Sequence, residues 1–225
     1  MRKILMDPKF DYSDTDWDTI KRLSKWYSGD IHDSMEGLGL WGHLPGISLF
    51  GKLKDGDVIC GPAVTVLFEP SDRKGEPQDV YHHAIDNAPE GGIMVVDASC
   101  ADGACSGELM STGAKVKGLA GTVVNGTVRD LPQVRELGYP LFGTHPSPVG
   151  VTGKKEPKYS QVPIKIGETT IKPGDIVFAD VDGVVVIPKE HAKAVADAAE
   201  ALGANEAAAR DRLLSGEKLQ SVWPA

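Results

Sequence analysis

The chain has 225 residues, 41% of them hydrophobic and 6% aromatic, with 24 Lys+Arg against 32 Asp+Glu and a formal net charge of −8. That length suits one moderately large domain with a core of Val, Ile, Leu and Ala, and an acidic balance without a basic, aromatic-laced patch argues against a nucleic-acid partner. No apolar run approaches a membrane span, and the opening MRKILMDPKF lacks the apolar region and cleavage site of a secretory leader, so a cytoplasmic protein is expected.

The elements are expected in the following order. DTDWDTIKRLSKWYS (14–28) places Trp17, Ile20, Leu23 and Trp26 at helical spacing behind an Asp or Thr cap, and GDIHDSMEGLGL continues as a second helix ending near Gly37–Gly39. DVICGPAVTVLFE (57–69) reads as a strand, with a bulge or bend at Gly61-Pro62. A helix over 79–88 and a buried strand over 91–99 follow, and Asp97 opens a small-residue loop. GELMSTGAKVKG (107–118) is a helix, Thr122–Val124 a strand broken at Asn125-Gly126, and LPQVRELG a short helix with Pro132 in its first turn. A short strand is expected within 140–148, an all-β stretch over 162–188 with Pro-Gly-Asp and Val-Asp-Gly turns, and an alanine-rich helix over 189–214. Alternating strands and helices flanked by hairpins imply α/β or α+β layers on a mixed sheet or partial barrel. One domain is expected, with its core over about 18–188.

Chemistry concentrates in two places. ASCADGACSGELM (98–110) has residues small enough for close ligand approach, and the amides of Gly107, Glu108, Leu109 and Met110 at a helix start favour an anion. Arg129 and Asp130 stand side by side where a strand ends. Ligands of open α/β sheets sit outside the carboxyl ends of strands, so two consecutive strands ending near Asp97 and Val128 bring both features to one rim. A guanidinium there grips a carboxylate or carbonyl oxygen, and a lone carboxylate holds a hard cation through one ligand and several waters. His145 is expected on the same rim. His82 and Asp86, four apart in HHAID beside His83, form a metal pair or a solvated helix face. Ser106 and Ser111 have no evident His base, and Cys60, Cys100 and Cys105 read as free thiols. Loops 68–78 and 149–161 are expected to set specificity without a readable code, with Arg73, Lys74, Lys154 and Lys155 as solvated charges or contacts to a second carboxylate.

Glu108, twenty intervening residues and then Arg129-Asp130, together with GPAVTV, GGIMVVD, ELGYPLFGTHPSP and PGDIVFADVDGVVVIP in that order, resemble the RraA-like family over roughly residues 18–217. That family includes the divalent-metal-dependent 4-hydroxy-4-methyl-2-oxoglutarate/4-carboxy-4-hydroxy-2-oxoadipate aldolases. The resemblance implies a three-layer β/β/α swivelling-type fold with flanking N- and C-terminal helices, assembled as a homotrimer or homohexamer with sites at subunit interfaces. It implies Asp130 as ligand of a Mg²⁺ or Mn²⁺ cofactor, Arg129 on a 2-keto oxygen, and the Gly107–Met110 amides on a carboxylate. Glu108 stands where the aldolases more often have aspartate and would orient water or act as a base through it. Glu206 would reach a neighbouring subunit's site. The implied activity is a lyase releasing pyruvate from 4-hydroxy-2-oxo acids, with an oxaloacetate decarboxylase side reaction. The alternatives are a metal-free regulator that binds a ribonuclease, or another lyase or hydratase acting on an α-keto acid.

Overall fold

Asp16 opens the first helix because its side chain accepts the Thr19 amide at 2.9 Å, satisfying a donor that the helix itself leaves free. The computed structural model describes residues 10–54, 56–73 and 78–223; the expectations on the opening segment 1–9 and on Lys74 fall outside them. Helix α1 (Trp17–Leu23) is shorter than its periodicity suggests, and Trp26 lies beyond its end, packed against Gly203 of the last long helix. Helix α2 (Ser28–Gly37) follows directly, then the short β1 (Ser48–Leu49) and the long β2 (Ile59–Pro70). The middle alternates α3 (Asp79–Asn87), β3 (Ile93–Asp97), α4 (Glu108–Val116), β4 (Gly121–Asn125), β5 (Thr127–Val128), α5 (Leu131–Leu137), β6 (Leu141–Gly143) and β7 (His145–Pro146). The chain ends with β8 (Lys155–Ser160), hairpins β9 (Ile164–Ile166)/β10 (Thr169–Ile171) and β11 (Ile176–Ala179)/β12 (Val184–Ile187), a 3₁₀ turn (Lys189–His191), α6 (Ala192–Leu214) and α7 (Leu219–Val222).

The main sheet runs β1-β6-β4-β3-β2-β11-β12, with β8 also paired to β2. Strands β2, β3, β4 and β6 are mutually parallel; β1, β8, β11 and β12 add antiparallel partners. One edge of β2 is shared: Ile59–Pro62 pair with β11, and Val66–Pro70 pair with β8. The irregularity sits between Leu67 and Phe68, not at the expected Gly61-Pro62. Gly61 is there for space, since a Cβ would lie 2.1 Å from the Gly91 carbonyl oxygen.

Strand periodicity divides the core. In β3, Met94 and Val96 face the layer of α3, α4 and α5, while Ile93 and Val95 face the β9/β10 hairpin with Ile164, Ile166 and Ile171. A third cluster packs α1, α2 and α6 on β11 and β12 through Leu23, Ile31, Phe178 and Ala196. Each buried side chain of Val, Leu, Ile, Phe or Met size among these contributes about 1.5–3 kcal/mol. These layers match the expected mixed α/β architecture with flanking helices. The three cysteines are free, and among the described residues no helix is long and apolar enough to cross a membrane.

Candidate active site

Strands β3 and β4 run in register to Asp97↔Asn125, so their carboxyl ends share one rim, as their order in the sequence predicts. The Asn125 amide donates to Asp97 Oδ1 at 3.0 Å, and the Ala98 amide donates to the Asn125 carbonyl at 2.9 Å. Beyond the rim the two loops zip together. The Cys105 amide donates to the Thr127 carbonyl at 3.3 Å, and the Arg129 amide to the Ser106 carbonyl at 3.0 Å. On its other side the first loop is held by the Ala104 amide on the Val149 carbonyl at 2.7 Å. Helix α4 therefore starts directly beside Arg129 and Asp130.

Asp130 has φ 56° and ψ 36°, a left-handed conformation that costs an L-residue of this kind roughly 1 kcal/mol. Its side chain then reaches back to α4, where Oδ2 accepts the Glu108 amide at 3.2 Å. The Arg129 Nε–Asp130 Oδ2 separation is 3.5 Å with both side chains nearly half exposed, a loose ion pair worth little by itself. Asp130 Oδ1 has no protein partner among the described residues. A single half-exposed carboxylate with a free oxygen fits a hard divalent cation that keeps most of its waters, as Mg²⁺ and Mn²⁺ do.

These residues line a cavity of about 530 Å³ together with Gln78 and His82 of the α3 region, Gln133 of α5, and Gly150–Thr152. Gly107, Glu108, Leu109, Met110, Arg129 and Asp130 all line it. One expected anion donor, the Glu108 amide, is already taken by Asp130. The amides of Gly107, Leu109 and Met110 donate to no described protein group. The Glu108 carboxylate accepts from Thr112 Oγ1 at 3.1 Å, one turn along the helix. Burial pushes the Cys105 thiol up to about 12, which leaves it an inert wall.

Other expected residues lie elsewhere. His145 is not among the cavity's lining residues; its ring meets Thr127 and Thr144 hydroxyls at 3.3 and 3.0 Å. His82 lines the cavity, while Asp86 does not. Glu206 lies on α6 near Asp30 and Asp33 of α2, and burial first, then Asp30, raises its carboxyl pKa. Within its own chain it is not a cavity residue. Among the described residues the one group of three potential metal ligands is His32, Asp33 and Glu36 on α2, again outside the cavity. Arg73 is a part-exposed loop charge paired to Glu156 at 3.1 Å, Lys154 donates to the Gly150 carbonyl at 3.1 Å, and Lys155 is buried; none of the three lines the cavity. Sequence reasoning missed Gln78 and Gln133. The available signal was spacing: Gln78 precedes His82 by four residues, and Gln133 follows Asp130 by three, so each shares a helix face with a residue already singled out.

The family model described as Aldolase/RraA matches residues 28–186. The chain belongs to the RraA-like family. Among RraA-like relatives, "Protein DlpA" of Legionella pneumophila is 32% identical over 214 residues, covering 93% of this chain; the chain spans only 34% of that relative's length. A Halalkalibacterium halodurans protein named "Putative 4-hydroxy-4-methyl-2-oxoglutarate aldolase" is 33% identical over 170 residues, covering 75% of this chain and 77% of that protein. The crystal structure of Streptomyces coelicolor RraAS2, described as an unusual member of the RNase ES inhibitor RraA protein family, superimposes with a TM-score of 0.79. It is 30% identical, covering 88% of this chain and 99% of that one. The RraA-like family thus spans proteins named as aldolases and proteins named as ribonuclease inhibitors.

Proposed function

We propose that this protein is a divalent-metal-dependent carbon–carbon lyase that cleaves 4-hydroxy-2-oxo acids by a retro-aldol reaction and releases pyruvate. The observation that carries this reading is one cavity wall holding the Arg129 guanidinium, the Asp130 carboxylate and the unengaged first-turn amides of α4. The substrate's C1 carboxylate lies on the amides of Gly107, Leu109 and Met110, where the helix dipole favours an anion. Arg129 donates to the C2 oxygen. A Mg²⁺ or Mn²⁺ ion held by Asp130 would supply Lewis-acid polarisation of the bound keto acid.

In the bond-breaking step the 4-hydroxyl loses its proton, C4 becomes a carbonyl carbon, and the C3–C4 electron pair passes into the pyruvate enolate. Negative charge grows on the C2 oxygen, so the Arg129 contact strengthens towards the transition state and lowers the barrier. Glu108, through an intervening water, accepts the hydroxyl proton and returns one to C3, aided by Glu206 of the partner subunit in a trimer or hexamer. Oxaloacetate decarboxylation leaves the same enolate and is the expected side reaction.

The test is pyruvate release from oxaloacetate with Mg²⁺ or Mn²⁺, with and without EDTA. Chelation abolishes turnover, and Arg129→Ala lowers kcat by about 10²–10³. Metal-independent turnover, or an Arg129→Ala variant as fast as wild type, defeats the reading. Absence of any turnover across a panel of 4-hydroxy-2-oxo acids, with inhibition of a ribonuclease instead, points to the regulator.

A further inference from the structure

Lys155, the first residue of β8, is only 1% exposed, an unusual place for a lysine. Its ammonium donates to the carbonyls of Ala98 and Ala101, the latter at 2.5 Å. No carboxylate among the described residues lies within ion-pairing distance of it. Its backbone is tied to the adjoining 149–152 segment: the Lys155 amide donates to the Val151 carbonyl at 3.2 Å, and Val151 lines the cavity. The side chain thus bridges the 149–152 segment to the loop whose end supplies the α4 amides. Its charge is felt at Cys105, a cavity-lining residue.

A buried cation without a counterion is costly unless something else compensates it. Two carbonyl dipoles do so in part. Any positive potential left over that reached the adjoining cavity would be offset by an arriving anion. We propose that Lys155 is a positioning residue whose buried charge, fixed on the start of the loop that leads to α4, strengthens binding of the anionic keto acid. This rests on the reading of the cavity as an α-keto-acid site, and adds what sets its affinity.

A charge has a signature that a scaffold lacks: it acts with opposite sign on an anion and on a cation. The experiment measures two dissociation constants by calorimetry, for Mn²⁺ alone and for oxalate added to Mn²⁺-saturated protein. Wild type is compared with Lys155→Met, of similar length and apolar, and Lys155→Gln, which keeps a donor. In both variants oxalate binding is expected to weaken by the order of tenfold, the scale of one unit charge acting across several ångströms of partly screened protein. Mn²⁺ binding is expected to stay the same or tighten. Equal weakening of both ligands would reduce Lys155 to a loop brace and overturn the proposal. Oxalate binding at or above wild-type strength in either variant also overturns it. Wild-type protein that binds neither probe sinks the lyase reading itself, an outcome visible before any variant is made.

Discussion

Gly107 has φ −158°, extended backbone that any residue adopts, so its lack of a side chain is a matter of space. A Cβ there would lie 2.4 Å from Asp130 Oδ2 and 3.0 Å from Arg129 Cγ. Gly107→Ala therefore pushes the carboxylate off the Glu108 amide and displaces the guanidinium, while the fold loses no buried contact. The expected result is a kcat/KM on oxaloacetate lower by about 10², the usual effect of an ångström of misplacement, and weaker Mn²⁺ binding. The melting temperature should stay within a few degrees of wild type, because the atoms that must give way belong to the half-exposed side chains of Asp130 and Arg129 and not to backbone. An alanine variant with unchanged Mn²⁺ affinity would mean that Asp130 does not hold the ion. At this scale the sequence was readable where chemistry is contiguous: Arg129 and Asp130 are adjacent, and Glu108 opens a recognisable helix. Lys155 was not readable, because a lysine in GKKEPK looks like a solvated charge and only the tertiary pairing of β8 buries it.

Helices α1 and α6 are joined by Arg22, whose Nε and Nη2 each donate to Glu200 at 2.8 Å, while Nη2 also meets Asp197 at 2.5 Å. The Arg22 guanidinium holds the Glu200 carboxyl below its ordinary range. A carboxylate lowered in this way adds stability above its unfolded value, about 4.3 for glutamate, and loses it as pH falls through the lower folded value. Arg22→Met is accordingly expected to lower the melting temperature at pH 7 by a few degrees, and the gap from wild type should close as pH falls below the ordinary glutamate range. Raising the salt concentration should narrow it too, because the pair is partly exposed to solvent. A gap that persists unchanged in acid would assign the effect to the packed stem of the arginine instead. Element order was mostly legible, since β3 and β4 carry continuous apolar runs and α4 and α5 carry helix-start residues. Strand β8 was not. Pro157 and three charged residues demote KEPKYS as a strand, yet it pairs along the far half of β2 across the Leu67/Phe68 irregularity. Missing β8 also hid the reason that Gly150–Thr152 reach the cavity.

Across the whole molecule, Glu206 and the cavity are separated within one chain: the helix that carries it packs on α2, while the cavity lies at the carboxyl ends of β3 and β4. Local patterning fixes elements and even their layers, but it contains no term for a second subunit, so the expectation of a trimer or hexamer rests on family resemblance alone. The proposed role for Glu206 therefore demands an assembly in which one subunit's α6 meets the next subunit's rim. Its raised carboxyl pKa suits a proton acceptor working nearer neutrality than an ordinary glutamate. Complementation tests this directly. Arg129→Ala and Glu206→Gln, each purified alone, should be strongly impaired in oxaloacetate turnover. When the two are co-expressed with different tags and the mixed oligomer is isolated, some sites combine an intact Arg129 with an intact Glu206 of the partner subunit. In a cyclic trimer that carries both tags one of the three sites has this pairing, whichever chain is in the majority, so activity should recover to about a third of wild type. Activity no higher than the mean of the two parents would show that Glu206 does not cross the interface. A fully active Glu206→Gln variant would remove it from the chemistry altogether and leave Glu108 as the sole carboxylate available to move the hydroxyl proton.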